Sequence, residues 1–400
     1  MRLSLRGRVV AKPYKKLEKI SPKGQTERGN PHKKINNKEM TLMKQFLKTT
    51  VALAMATAIP AAAFAEENWY PYEAQEVTPA FSADGEVSAV TYTPLERAEK
   101  AWNICVSFPH MKDAYWLGVN YGVADEAARL GVNMNNVDAG GYTELANQIS
   151  QIENCVAGGA DAVVIGAISF DGLNNVIGEV AGAGIPVIDV INGVSSPDIS
   201  AKSLVSFRTM GAETGRYLAE RHPAGSDPVK VGWFPGPAGA GWVEAAHAGF
   251  MEAVEGSAVE VLEPRFGDTG KEVQLGLVED VLQANPDVRY LAGTAVTAEA
   301  AQGLIRERGL QGEVDLLAFY MTPGVYTGIE RGFILAAPAD SMVIQGRIAI
   351  DQAVRILEGE EYIKHVGPEI FVVDSSNIAD VPRTDILPPD GYSPVFSVNQ

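Results

Sequence analysis

Residues 103–130 read NICVSFPHMKDAYWLGVNYGVADEAARL, and the two halves of this segment establish the fold class. The first six residues, 103–108, are mostly apolar and predict a buried strand. Residues 113–130 predict an amphipathic helix, because their apolar side chains recur at helical spacing: Trp116, Val119, Val123, Ala127 and Leu130. An apolar strand followed by such a helix is the repeating unit of a parallel sheet that is covered on both faces.

The same unit recurs in two series along the chain. The first series predicts strands at 132–138, 162–167 and 186–191 and helices at 143–156 and 173–183. The second series predicts strands at 230–234, 259–264, 288–292, 316–319 and 333–336. Its predicted helices are at 210–220, 242–254, 271–284, 298–308 and 325–331. A strand at 203–206 stands between the two series, and a helix at 342–357 and a strand at 370–373 follow them. We therefore predict an α/β protein of two doubly wound parallel-sheet lobes with a ligand cleft between them.

The expected lobe boundaries follow from this order. The N-terminal lobe is predicted to hold 101–206 and 340–366, and the C-terminal lobe 207–339 and 367–375. Residues 66–100 are expected to pack outside a lobe as an N-terminal extension, and 376–400 to form a C-terminal tail. The hinges are expected where the chain crosses between lobes, near 206–209, 338–340 and His365–Pro368.

Charge separates the first 65 residues from the rest of the chain. They hold 14 basic and 3 acidic residues, whereas the whole chain of 400 residues has a net charge of −17. Met43 begins a short basic segment, 51–60 is apolar, and Ala63-Phe64-Ala65 is a small-x-small cleavage site. This order is typical of a secretory signal peptide at 43–65, cleaved after Ala65, and less so of a membrane anchor.

Residues 1–42 precede this signal, and they are basic and lack apolar periodicity. They are interpreted as untranslated or disordered, with a nucleic-acid-binding arm as the alternative. The exported body is then expected in the periplasm. Its two cysteines, Cys105 and Cys155, are expected to pair in that oxidising compartment, the alternative being two buried free thiols.

Composition and motifs exclude several classes of function. A strongly acidic body does not suit nucleic acid, and no apolar run in the body is long enough to span a membrane. The chain lacks a Gly-x-Ser-x-Gly elbow, a Walker loop and a His-Glu-x-x-His motif, so no enzyme activity, metal or cofactor is predicted. The glycine-rich segment 236–241 could hold a phosphate, but a tight turn between a strand and a helix is the simpler interpretation.

Aromatic residues follow the carboxyl ends of the predicted strands. They are Tyr115, Trp116, Tyr142, Phe207, Trp242 and Tyr320, and Asp113 stands beside the first two. Each ring alone is more often part of a core, but a set at equivalent positions predicts a shared aromatic pocket. Ring faces attract a methylated ammonium group. Asp113 could add a negative charge to that pocket or simply cap its own helix.

The chain resembles a type I periplasmic binding protein of the ribose-binding class over about 101–375, and within that class the branch that binds trimethylamine N-oxide (TMAO). The segments that carry the resemblance are Thr93-Pro94-Leu95, Ala101-Trp102, Lys112-Asp113-Ala114-Tyr115-Trp116, Asn120-Tyr121-Gly122, Ala139-Gly140-Gly141-Tyr142, Met210-Gly211, Gly215-Arg216-Tyr217-Leu218, Ala292-Gly293-Thr294-Ala295, Ala298-Glu299-Ala300-Ala301, Phe319-Tyr320 and Gln345-Gly346. The resemblance implies an aromatic TMAO pocket, in which Tyr115, Trp116, Tyr142 and Tyr320 match the aromatic positions and Asp113 matches an acidic one.

Two positions refine the expected ligand. The resemblance implies a tryptophan where this chain has Phe207, which keeps the ring face but lacks an N–H donor; Trp242 is expected to compensate. Sugar-binding relatives have an Asp-Arg pair where this chain has Ile191-Asn192. Buried sugar hydroxyls would then lack charged partners, so sugar is the second ligand class.

We expect a periplasmic protein that binds TMAO or a related methylamine and communicates with the periplasmic domain of a membrane sensor histidine kinase. Two other functions stay open. One is the substrate-binding protein of an ABC-type transporter for a small methylamine or sugar, which would share the fold. The other is an enzyme on the same scaffold, for which the sequence offers no acid–base pair or nucleophile in the cleft.

Overall fold

Two β-sheets form the frame of the protein. The computed structural model describes residues 68–82 and 85–400, so the predicted signal peptide and the segment before it lie outside the described residues. The strands are β1 (Tyr72–Thr78), β2 (Glu86–Tyr92), β3 (Asn103–Phe108), β4 (Asn133–Asp138), β5 (Ala162–Ile165), β6 (Val187–Val190), β7 (Ala201–Ser203), β8 (Val229–Phe234), β9 (Val259–Val261), β10 (Val288–Gly293), β11 (Asp315–Ala318), β12 (Ala336–Ala339), β13 (His365–Pro368), β14 (Phe371–Asp374) and β15 (Ser397–Val398).

Helices connect most of the parallel strands. They are α1 (Ala114–Leu130), α2 (Leu145–Ala157), α3 (Asn174–Gly182), α4 (Phe207–Arg221), α5 (Gly241–Val254), α6 (Lys271–Ala284), α7 (Ala295–Glu307), α8 (Pro323–Glu330), α9 (Met342–Glu358) and α10 (Arg383–Ile386). Side-chain caps fix several starting points: Ser206 accepts from the Thr209 amide before α4, and Thr294 and Thr322 do the same for α7 and α8.

The first sheet has nine strands in the order β15-β4-β3-β5-β6-β7-β13-β1-β2, of which β4 to β13 are parallel. The second sheet has six strands in the order β14-β12-β11-β10-β8-β9, parallel except for β14. The central strands β3, β5 and β6 are buried almost throughout, which explains why their sequences are mostly apolar. The predicted fold class, two parallel sheets with helices, is confirmed.

The chain passes between the sheets at four places within residues 85–400. It leaves the first sheet after β7, returns to it after β12 through α9, and leaves again after β13. The fourth passage is the C-terminal segment, which runs from β14 in the second sheet to β15 in the first. Helix α9 packs against α1 on the first sheet, whereas α4 packs against α5 on the second.

Both terminal segments are part of the first sheet. The extension forms the hairpin β1–β2, and β1 pairs antiparallel with β13. Its attachment is polar and buried: the Trp69 indole donates to Glu126, and the Tyr92 hydroxyl donates to Asp351. At the opposite edge β15 pairs with β4, and Tyr392 donates to the Asn120 side chain at 2.7 Å. The sequence predicted neither the hairpin nor β15.

The strand predicted at 333–336 has the wrong bounds. In the structure it starts at Ala336 and not at Phe333. The amides of Phe333 and Ile334 both donate to the Gly328 carbonyl and complete the end of α8. Phe333 and Ile334 have high strand propensity, but the end of α8 needs their amides for capping. The strand predicted at 203–206 likewise ends at Ser203, because Ser206 caps α4.

A disulfide joins Cys105 on β3 to Cys155 on α2. It lies in a separate apolar cluster on one face of the first sheet, with Ile152, Ile165 and Ile177. Over the part of the chain that the structure describes, no helix combines the length and the apolarity that crossing a membrane requires.

Candidate functional site

A cavity lies where the carboxyl ends of the two sheets meet. Its lining is Asp113, Tyr115, Trp116, Tyr142, Asn192, Phe207, Trp242, Thr269 and Tyr320. Every one of these residues stands in the connection after a strand or at the start of the helix that follows it. This is the edge at which open α/β sheets bind ligands. The empty space between these side chains is about 260 Å³, including the part open to solvent.

The start of α1 supplies three of these side chains. Asp113 is the N-cap, and its carboxylate accepts from the Trp116 amide at 3.2 Å. Trp116 is 2% exposed and packs on Phe108 with 4.8 Å between ring centroids. Gly166 directly follows β5, and a Cβ atom at that position would lie 2.4 Å from the Trp116 ring. The absence of a side chain there lets the indole lie against the sheet.

Tyr115 connects the cavity wall to the passage between β12 and α9. Its hydroxyl donates to the Asp340 carboxylate at 2.5 Å, and the Gln345 amide donates to the same oxygen at 3.0 Å. Burial raises the pKa of Asp340 to about 6, against the hydrogen bonds from Tyr115 and Gln345. Burial likewise raises the pKa of Tyr115, which stays a neutral donor.

Tyr142 and Asn192 form a polar corner of the cavity. The Asn192 amide donates to the Tyr142 hydroxyl at 3.0 Å and to the Ala167 carbonyl at 2.6 Å. Because the Tyr142 oxygen accepts from Asn192, its own proton is available to a ligand. Asn192 is aimed there by Ile191, whose φ of 70° is unusual for a β-branched residue.

The second sheet contributes Phe207, Trp242, Thr269 and Tyr320. Phe207 is the first residue of α4, and its ring lies 5.7 Å from that of Trp242. Trp242 lies in the first turn of α5, which follows the glycine-rich segment. In that segment Gly236 has a φ of 118°, and a Cβ atom on Gly236 would lie 2.7 Å from the Trp242 indole. The glycine at that position therefore gives the Trp242 ring room against the strand end, which favours the tight turn over a phosphate loop.

Rings from both sheets meet around the cavity. Tyr115 lies edge-on to Tyr320, with 5.1 Å between centroids, and Tyr142 lies 5.9 Å from Trp242. Tyr320 is 4% exposed and Trp242 is also 4% exposed. Aromatic faces from two directions give the cavity a negative electrostatic lining without a full charge.

Asp113 adds a carboxylate to this lining. Its side chain is 7% exposed, and burial raises its pKa to about 6, against hydrogen bonds from the Trp116 amide and the Thr269 hydroxyl. His110 lies 3.6 Å from Asp113 and 3.0 Å from the Thr269 oxygen. Burial lowers the pKa of His110 to about 4, so that its ring is neutral and does not neutralise the carboxylate. A ligand cation would meet an uncompensated negative group at neutral pH.

Two contacts connect the sheets beside the cavity. His110 follows β3 of the first sheet, and its partner Thr269 precedes α6 in the second. Lys112 and Asp268 form an ion pair at 2.6 Å between the same two segments, and both are partly exposed. Together these pairs link the two sheets at the edge of the cavity.

The seven residues selected from the sequence all line this one cavity: Asp113, Tyr115, Trp116, Tyr142, Phe207, Trp242 and Tyr320. Asp113, for which the sequence left two roles open, caps α1 and also lines the cavity. Asn192 and Thr269 were missed as lining residues. Asn192 directly follows a predicted strand, and that position was a signal for it; Thr269 lies in a connection without a motif.

The arrangement is suited to binding a small, partly cationic molecule. It combines a carboxylate, aromatic faces and several hydrogen-bond donors. Among residues 68–82 and 85–400, no group of three or more His, Cys, Asp or Glu side chains is placed to hold a metal ion.

Comparison with known proteins gives a consistent family. Residues 104–361 match the family described as "Periplasmic binding protein domain". The periplasmic protein TorT of Escherichia coli strain K12 is 36% identical over 328 residues, which cover 80% of this chain and 93% of TorT.

Two solved structures are similar over most of the chain. An ABC transporter solute-binding protein from Bradyrhizobium sp. BTAi1, crystallised with bound Bis-Tris, is 75% identical with a TM-score of 0.72, covering 82% of this chain and 98% of that one. A chain of the complex between the TorS sensor domain and TorT in the presence of TMAO is 33% identical with a TM-score of 0.68, covering 74% of this chain and 99% of that one.

Proposed function

The chain belongs to the periplasmic binding protein family, and from that premise we propose that it binds TMAO or a related methylamine in the aromatic cavity. The observation that carries this proposal is the lining itself, in which rings from both sheets surround the space beside the Asp113 carboxylate. A trimethylated nitrogen presents a positive, apolar surface. Each desolvated ring contact with such a group is worth about 2 kcal/mol.

The charges around the cavity support the same ligand class. Asp113 is ionised above about pH 6 and faces no cationic partner in the cavity, because His110 is neutral. The Lys112 ammonium is occupied by Asp268 at 2.6 Å. A ligand with a cationic nitrogen would therefore compensate a buried charge, which an uncharged sugar would not do.

The relatives support an amine as well. TorT occurs in a complex studied with TMAO, and the Bradyrhizobium protein was crystallised with Bis-Tris. Both small molecules contain a nitrogen atom that carries three carbon substituents. This shared group is what an aromatic cage with one carboxylate recognises.

The direct test is calorimetric titration of the exported protein with TMAO, trimethylamine, glycine betaine, Bis-Tris and ribose. We expect saturable binding of TMAO in preference to the other four compounds. Preference for ribose would contradict the proposed ligand class. Preference for Bis-Tris or betaine would contradict TMAO as the ligand and indicate a bulkier amine.

For the partner, we propose the periplasmic sensor domain of a TorS-like histidine kinase. TorT forms such a complex, and this chain covers 93% of the TorT sequence. Under this proposal the lobes are 101–206 with 340–366 and 207–339 with 367–375, and the ligand changes their relative orientation. The effect on the kinase is limited by the difference in ligand affinity between the two orientations.

Transport is the second candidate function, and the Bradyrhizobium relative favours it because that protein is described as an ABC transporter component. The ligand site would be the same, but the partner would be a permease. The genes beside this one distinguish the two functions. A sensor kinase and a reductase would support sensing, whereas a permease and an ATPase would support transport.

The proposal includes export to the periplasm with cleavage after Ala65, and no catalytic activity. Mass spectrometry of the mature protein should give an N-terminus at Glu66. Turnover of any methylamine by the pure protein would contradict the assignment as a binding protein.

A further inference from the structure

One donor in the cavity wall has no acceptor. The Trp242 indole nitrogen Nε1 is buried, and it makes no hydrogen bond with any residue that the structure describes. The side chain is 4% exposed and lies between the rings of Tyr142, Phe207 and Tyr320. A buried N–H without a partner costs free energy in the ligand-free protein, so its retention calls for an acceptor.

Trp242 lies beside the polar corner of the cavity, with 5.9 Å between its ring centroid and that of Tyr142. Burial raises the pKa of Tyr142, so that its hydroxyl stays protonated, and Trp242 Nε1 makes no hydrogen bond to it. Since the Tyr142 oxygen accepts from Asn192, its own proton joins the unpartnered Trp242 N–H as a second donor in this part of the lining.

The cavity is therefore dipolar. The free donors of Tyr142 and Trp242 are neighbours in the lining, while the Asp113 carboxylate and the ring faces are negative. A bare quaternary ammonium would satisfy the negative part and leave the donors without an acceptor. An amine N-oxide carries both a cationic nitrogen and an anionic oxygen one bond away, and thus matches both parts.

We propose that Trp242 Nε1 donates to the ligand oxygen and so makes the site selective for amine N-oxides over quaternary ammonium ions of the same shape. This inference rests on the proposed function, and it names the residue that determines specificity. The matched pair of probes is TMAO and tetramethylammonium, which differ by one oxygen in place of one methyl group.

The test measures both affinities for the wild type and for Trp242→Phe, which keeps an aromatic ring and removes the N–H. We expect TMAO to bind about 10- to 100-fold more weakly to the variant, because a hydrogen bond to a charged oxygen is lost. Tetramethylammonium should change by less than about 3-fold. Trp233→Phe is the matched control, since that buried indole donates to His247 at 3.0 Å and does not line the cavity.

A second measurement does not depend on the folding of the variant. In the wild type, the indole proton resonance of Trp242 should move strongly downfield with TMAO and little with tetramethylammonium. Equal losses of both ligands in Trp242→Phe, or equal shifts with both, would overturn the inference and leave the proposed function standing. A wild type that binds neither compound would overturn both.

Discussion

The Tyr115 hydroxyl lies 2.5 Å from the Asp340 carboxylate, and it joins the cavity wall to the segment where the chain returns from the second sheet to the first. Tyr115 also touches Tyr320 across the cavity. The residue after Asp340 is Ser341, which has a φ of 49° and accepts from the Tyr72 hydroxyl. Tyr115 therefore contacts both the opposite wall of the cavity and one of the passages between the sheets.

Tyr115→Phe should destabilise the protein by about 1–3 kcal/mol at pH 7.5, because the buried Asp340 carboxylate loses one of its donors. The pKa of Asp340, about 6 in the wild type, should rise further. The destabilisation should shrink as pH falls through 6, where Asp340 becomes protonated and depends less on that donor. Urea unfolding at pH 5 and pH 7.5 measures this.

The control for that experiment is Tyr392→Phe, which removes a hydrogen bond to the neutral Asn120 side chain. Its cost should be the same at both pH values. A pH-independent cost in Tyr115→Phe would contradict the role given to Asp340.

Asp113→Asn should stabilise the ligand-free protein and weaken binding. Asparagine caps a helix as well as aspartate does, so α1 keeps its start. The folded-state pKa of about 6 lies above the usual value of 3.8, so the ionised group costs stability above pH 6 and nothing below pH 4. The variant should gain about 1–3 kcal/mol at pH 7.5 and none at pH 3.5.

Ligand affinity gives the complementary result. Tetramethylammonium should bind the wild type less tightly as pH falls below 6, since a protonated Asp113 no longer attracts the cation. Calorimetry of Asp113→Asn should show weak binding with no such pH dependence. An affinity that is unchanged in the variant would show that the carboxylate acts only as a helix cap.

Breaking the ion pair beside the cavity should speed ligand release. Lys112→Met removes a partly exposed pair worth about 0.4–1 kcal/mol, so dissociation should become about 2- to 5-fold faster with little change in melting temperature. Stopped-flow tryptophan fluorescence measures the rate. Lys230→Met removes an ion pair of the same 2.6 Å length at the amino end of the second sheet and should leave the rate unchanged.

Removing the disulfide should affect stability and not binding. Replacing Cys105 and Cys155 together by alanine opens a loop of 50 residues, which lowers the free energy of unfolding by about 2–4 kcal/mol. The disulfide belongs to an apolar cluster that shares no residue with the cavity lining. Calorimetry should therefore give a TMAO affinity within about 2-fold of the wild type; a larger loss would connect the two regions.

The sequence predicted the parallel strands and the aromatic lining well, because both follow from local patterns. Buried parallel strands are continuous apolar runs, and a ring directly after such a run marks the binding edge of the sheet. Tyr320, directly after the predicted strand 316–319, is visible in this way. The two small polar lining residues are less visible. Asn192 is marked only by its position directly after a predicted strand, because periodicity carries no sign of the left-handed backbone at Ile191. Thr269 lies in a connection without a motif.

The remaining errors come from competition between local preferences. Phe333 and Ile334 have strong strand propensity, but their amides complete the end of α8. The hairpin β1–β2 and the short strand β15 exist because a partner edge is present, at β13 and β4. A pairing that depends on a distant edge cannot be read from the segment that joins it.

The position of β15 has a practical consequence for anyone who wishes to follow ligand binding optically. The first described strand, β1, and the last, β15, belong to the same sheet. Fluorophores attached near these two strands would move together and would not report a change in the distance between the sheets. A biosensor needs one label on the second sheet, and Gln311, in an exposed turn at the amino end of β11 and away from the cavity, provides a position for it.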